Sequence, residues 1–64
     1  MAAGVLVKVH VEKSGSGWRY EVKKIGQPNN GKVLLTRDGF PTKEKALFAG
    51  EWWAAIEDYA VLFN

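Results

Sequence analysis

The stretch Val5-Leu6-Val7-Lys8-Val9-His10-Val11-Glu12-Lys13-Ser14-Gly15-Ser16-Gly17-Trp18-Arg19-Tyr20-Glu21-Val22-Lys23 decides the fold. Its first half alternates with period two. Val5, Val7, Val9 and Val11 share one face, and Leu6, Lys8, His10 and Glu12 share the other. Alternation of β-branched and polar residues marks a half-buried strand. Ser14-Gly15-Ser16-Gly17 interrupts the pattern as a hairpin loop. The alternation then resumes, with Trp18, Tyr20 and Val22 facing one way and Arg19, Glu21 and Lys23 the other.

Downstream, Gly26-Gln27-Pro28-Asn29-Asn30-Gly31 is dense in turn formers, and Asn30-Gly31 suits the positive φ angles of a tight turn. Lys32-Val33-Leu34-Leu35-Thr36-Arg37 is a third strand, which Asp38-Gly39 is expected to end. Strands joined by loops this short must be antiparallel, because parallel neighbours need a long crossover.

Phe40-Pro41-Thr42 leads into a helix. Thr42 is the expected N-cap, its hydroxyl accepting from a backbone N–H one turn in. Glu44 in the first turn complements the helix dipole. The following residues are rich in Ala, Leu, Glu and Lys, and extend the expected helix from about 43 to 62. The predicted class is α+β: one domain over 1–64, with a three-stranded antiparallel sheet (about 5–12, 18–24 and 32–37) packed on one long C-terminal helix.

That helix carries two apolar stripes. Ala46, Ala49, Trp53, Ile56, Ala60 and Phe63 form one, and Phe48, Trp52, Ala55, Tyr59 and Leu62 form the other. A surface helix ordinarily has a single stripe. The first is expected to meet the sheet and the second to stay partly uncovered. A helix over 43–62 would be roughly 30 Å long, against about 20–23 Å for strands of six or seven residues. The overhang is expected to expose Tyr59, Leu62 and Phe63. Phe48, Trp52, Tyr59, Leu62 and Phe63 are therefore the candidate protein interface, with a homodimer the simplest partner.

At 64 residues, 47% hydrophobic and 25% charged, the composition is that of a single globular unit. A chain of this size buries only about 60% of its unfolded surface, so its stability margin is thin. It has no Cys and one His, so neither a disulfide nor a thiolate metal site is available and no metal is expected. Met1 to Leu6 lacks a basic, then apolar, leader pattern. Glu51, Glu57 and Asp58 interrupt the uncharged C-terminal stretches, which argues against a membrane span. A cytoplasmic location is the expectation, with no membrane partner.

Nothing in the sequence composes an active site. Ser14 and Ser16 lie near His10, yet a triad also needs an orienting acid and an oxyanion hole. Glu57 and Asp58 are neighbours on a helix and point about 100° apart. Gly15-Ser16-Gly17 lacks the third glycine and following helix of a phosphate loop. The chain is expected to be no enzyme, with no cofactor and no small-molecule substrate.

Charge is unevenly spread. Residues 1–42 carry seven basic against three acidic groups, a net +4, whereas 43–64 carry two against four, a net −2. A single helix covers one sheet face, leaving Lys8, His10, Glu12, Arg19, Glu21 and Lys23 on the other. The third strand adds either Lys32, Leu34 and Thr36 or Val33, Leu35 and Arg37, depending on register. A small sheet bearing Arg, Lys and Thr can enter a DNA major groove, with the basic groups supplying the salt-dependent phosphate attraction. Glu12 and Glu21 oppose phosphate unless they pair with Arg19 or Lys23.

The order Gly17-Trp18-Arg19-Tyr20-Glu21-Val22, a turn, a strand, then Gly39-Phe40-Pro41-Thr42-Lys43-Glu44-Lys45-Ala46 resembles the N-terminal arm-type DNA-binding domain of tyrosine-type phage integrases. The resemblance covers roughly residues 5–56. It implies three strands plus a helix, with the open sheet face laid into the major groove of duplex DNA. By position it implies Arg19, Glu21 and Lys23, with Lys32, Leu34 and Thr36, as the groove-facing set. Lys8 and His10 join them on the first strand as candidate nucleic-acid-binding residues. Two expectations follow: a phage- or mobile-element-derived module reading duplex DNA, or a homodimeric protein-interaction module, which includes a small inhibitor of a host protein.

Overall fold

The computed structural model describes residues 4–63. Strands β1 (Leu6–Ser14), β2 (Gly17–Ile25) and β3 (Val33–Phe40) precede helix α1 (Lys43–Ile56) and a two-residue strand β4 (Ala60–Val61). They form one four-stranded sheet in the order β3-β2-β1-β4. The α+β class and the antiparallel order of the first three strands agree with the sequence. The short β4, which runs parallel to β1, was not expected.

β1 and β2 pair without interruption from Leu6↔Ile25 to Ser14↔Gly17. The connection is thus a two-residue turn, Gly15-Ser16, rather than a four-residue loop. Gly15 takes φ 61°, as the first central position of a type II′ hairpin turn demands. The second connection also differs in detail. Gly26, Asn29 (φ 67°) and Gly31 carry the positive φ angles, while Asn30 uses its side-chain oxygen to accept the Gly26 N–H at 2.7 Å.

β3 continues through Asp38-Gly39 instead of ending there. Two bulges accommodate this. Val22 faces Leu35 and Lys23 faces Val33, so Leu34 is an extra residue; Tyr20 faces Arg37 and Trp18 faces Phe40, so Asp38-Gly39 together oppose Arg19. Neither register anticipated for the third strand therefore holds along its length. Thr36 and Val33 lie with Glu21 and Lys23, and Leu35 and Arg37 lie with Val22 and Tyr20.

The N-cap is as expected: the Thr42 hydroxyl accepts the Lys45 N–H at 3.1 Å. The C-terminus is not. α1 stops at Ile56, six residues short of the expected end. The Tyr59 N–H returns to the Ala54 carbonyl at 2.9 Å and the Asp58 N–H to Ala55 at 3.0 Å. With Asp58 left-handed at φ 63°, this is a Schellman closure. Helix propensity is weak beside such a cap when the chain beyond it can bury apolar side chains elsewhere. Tyr59 and Val61 do so, packing against the core.

This reverses the length argument. Fourteen residues make α1, about 21 Å of helix, while nine residues in β1 span about 30 Å. The helix is shorter than the strand, and Leu62 and Phe63 are exposed on the segment after β4 rather than on a helix.

The contact between layers is small-residue packing. Ala46, Gly50 and Ala54 are the buried positions of α1, four residues apart on one line. Ala49 and Trp53 flank them, packed against Val7, Tyr20 and Val22. Ile56, which the sequence placed on the sheet-facing stripe, is 57% exposed. A Cβ on Gly50 would stand 2.6 Å from Val9 Cγ1 and 2.9 Å from the Tyr20 ring, so glycine is what lets the helix lie this close. Gly17 has a similar role at the sheet, where a Cβ would meet the Phe40 carbonyl oxygen at 2.8 Å.

Candidate interaction surfaces

Three surfaces stand out: the open sheet face, the outer face of α1 and a groove beside β4. The strict β1–β2 alternation builds the first. Cross-strand pairs Lys8↔Lys23, His10↔Glu21 and Glu12↔Arg19 lie side by side on it. Arg19 donates from Nε to Glu12 Oε2 at 2.9 Å and from Nη2 to the same oxygen. The other Glu12 oxygen lies 3.2 Å from His10 Nε2. Glu21 is 3.7 Å from Lys23 Nζ and 4.0 Å from Arg19 Nη2. Glu12–Arg19 is thus a cross-strand ion pair, the Glu21 pairs run along β2, and Lys8 and Lys23 set like charges opposite each other.

The hydrogen bonds from Arg19 and His10, with the charge of Arg19, hold the Glu12 carboxyl below its ordinary range. The same bond to Glu12 pushes the Arg19 guanidinium up. On the opposite face burial pushes the Tyr20 hydroxyl up.

The remaining candidate nucleic-acid residues are dispersed. Thr36 is exposed opposite Glu21. Lys32 sits just before β3, where its carbonyl accepts the Lys24 N–H at 2.8 Å. Leu34 packs against the core cluster, because the bulge turns it out of the alternation. Lys13 and Trp18 pair on the helix side of the sheet, with the ammonium 5.4 Å from the ring centroid.

The outer face of α1 carries Phe48 at 70% exposure, Trp52 at 61% and Ile56 at 57%. Their spacing of four places them on one line. Phe48 and Trp52 were anticipated and Ile56 was not. Tyr59, expected on this stripe, is half-buried with its ring edge-on to Trp53 at 5.8 Å. Trp53 belongs to the core side. Gly50 was the available signal for the true contact line, since a glycine inside a helix is destabilising unless a close approach requires it.

The groove, about 250 Å³ in volume, lies where β4 meets β1 beside the helix, lined from β1 by Lys8 and Val9. Leu47 and Glu51 reach it from α1, and Val61, Leu62 and Phe63 from the C-terminal segment. No part of it was anticipated, because it depends on β4.

Among the described residues there is no cluster of His, Cys, Asp and Glu that could hold a metal ion. No helix is long and apolar enough to cross a membrane. Comparison of the chain with protein-family models, with curated proteins and with solved structures finds no match.

Proposed function

We propose that this chain is a non-enzymatic interaction module that self-associates through the outer face of α1. The observation that carries the reading is the line Phe48, Trp52 and Ile56, each more than half exposed on a helix whose buried positions are only Ala46, Gly50 and Ala54. Phe48, Trp52 and Ile56 point away from the chain's own sheet, whereas the fully buried positions are small and Trp53 alone of the helix's bulky aromatic and branched side chains packs on the core. A helix serving only its own core would have the opposite distribution. Val7 and Val22 are the largest fully buried side chains, so the internal core is slight and association would add stability by mass action. A second copy can present the same line about a twofold axis. Binding of a different host protein through the same residues is the other form of this reading. Sedimentation across a concentration series separates them: a self-associating chain gives a concentration-dependent dimer, and a chain that stays monomeric overturns the homodimer.

A second reading, duplex DNA binding by the open sheet face, is supported by Lys8, Arg19 and Lys23 on that face and by the integrase-like order of its motifs. In this reading the chain is phage- or mobile-element-derived and works in the cytoplasm. The Glu12 and Glu21 pairings stand against it, because Arg19 must leave Glu12 to reach a phosphate. Anisotropy of labelled duplex DNA tests it. Binding that weakens steeply with salt, and weakens again in Arg19→Ala/Lys23→Ala, supports the reading; no binding at low salt removes it.

A further inference from the structure

Among the described residues, β1 has a neighbour on its outer side only along Leu6 and Val7, where β4 pairs with it. The Ala60 N–H donates to the Val5 carbonyl at 2.9 Å and the Leu62 N–H to the Val7 carbonyl at 2.8 Å. Backbone groups alternate sides along a strand. The N–H and C=O of Val9, Val11 and Lys13 therefore point the same way as the carbonyls of Val5 and Val7, along the edge beyond β4. The groove lies at the β4 end of this edge, reaching it at Val9, and Val9, Leu47, Val61, Leu62 and Phe63 make most of its lining apolar, with Lys8 and Glu51 its charged residues. Glu51 makes no ion pair with any described residue.

We infer that the β1 edge from Val9 to Lys13 receives an extended segment of a partner polypeptide, which continues the sheet past β4 and sets one side chain in the groove. The open row of backbone donors and acceptors dictates an extended occupant. The alternation dictates its pattern. Residues on the helix side meet the apolar lining, and residues on the other side lie beside His10 and Glu12, where polar groups fit. Glu51 selects a basic residue at the groove position or next to it.

A second copy's β1 does not fit in the register that would cover Val9 to Lys13. A twofold antiparallel pairing centred on Val11 would set Ser14 of one copy level with Lys8 of the other. Leu62 already stands there, bonded to Val7. The outer edge of β3 is a poorer template, because its two bulges break the regular spacing of the ladder.

The probe is a short capped peptide alternating valine and threonine with one central arginine, added to the isotopically labelled full chain and followed by amide resonances. The Val9, Val11 and Lys13 amides are expected to shift, and their hydrogen exchange to slow by at least about tenfold. N-methylation of the peptide's pairing amides should abolish the effect. Replacing its arginine by glutamate should weaken binding in the wild type and matter less in Glu51→Gln. Trp52→Glu should bind the peptide as the wild type does, which separates this site from the helix face. No response at these three amides, an equal response to the N-methylated peptide, or amides already protected in the free chain by a second copy would each overturn the inference.

Discussion

Gly50 lies against Val9 so closely that a single added methyl carbon would sit 2.6 Å from Val9 Cγ1. This contact sets the distance between helix and sheet. It also explains why a residue that ordinarily weakens helices occupies the middle of α1.

Gly50→Ala should therefore destabilise the chain, although alanine is the better helix former by about 1 kcal/mol. Overpacking a fixed core site costs roughly 1–3 kcal/mol, and the nearly buried Tyr20 ring leaves little room to yield. A net loss of up to about 2 kcal/mol in urea unfolding is expected. Adding Val9→Ala should recover part of it by vacating the space.

Asp58 holds the left-handed position of the helix stop, with φ 63°. Asp58→Gly should keep or raise stability, since glycine adopts that conformation freely. Asp58→Val should lose about 1–3 kcal/mol. It should also speed hydrogen exchange at Ala60 and Leu62, whose N–H groups hold β4 to β1.

Acid should loosen the open face through Glu12. Its folded carboxyl titrates below the ordinary glutamate value of 4.5 because Arg19 and His10 bond to it. A depressed carboxyl contributes stability above the unfolded value and loses it as pH falls through the folded one. The wild-type unfolding midpoint should drop more steeply than that of Glu12→Gln from 4.5 downward. Equal slopes would mean that the pair does nothing for the fold.

The parts of this fold set by short-range pattern were legible in the sequence. The Val5–Val11 and Trp18–Val22 alternations placed β1 and β2 on their correct faces, and Thr42 marked the start of α1. Features that depend on distant partners were not. The helix end at Ile56 rests on Asp58 adopting a left-handed φ, which no local preference demanded. β4 exists because Val5 and Val7 offer it carbonyls from across the molecule. The β3 bulges at Leu34 and Asp38-Gly39 broke a period that alternation alone could not track. Of the candidate surfaces, Phe48 and Trp52 could be read from their spacing. Ile56 was misassigned because alanine and tryptophan positions were followed in place of the Ala46-Gly50-Ala54 line, and the groove was invisible without β4.

The helix face gives the most direct test. Trp52 is 61% exposed, so Trp52→Glu should leave the folded monomer within about 0.5 kcal/mol of its stability while removing self-association. Sedimentation equilibrium of the wild type and Trp52→Glu, over the same concentration range, measures both states. A wild-type dimer together with a folded, monomeric Trp52→Glu is the predicted result. A wild type that remains monomeric at every concentration, or a Trp52→Glu chain that dimerises as well as the wild type, would contradict the proposed role of this face.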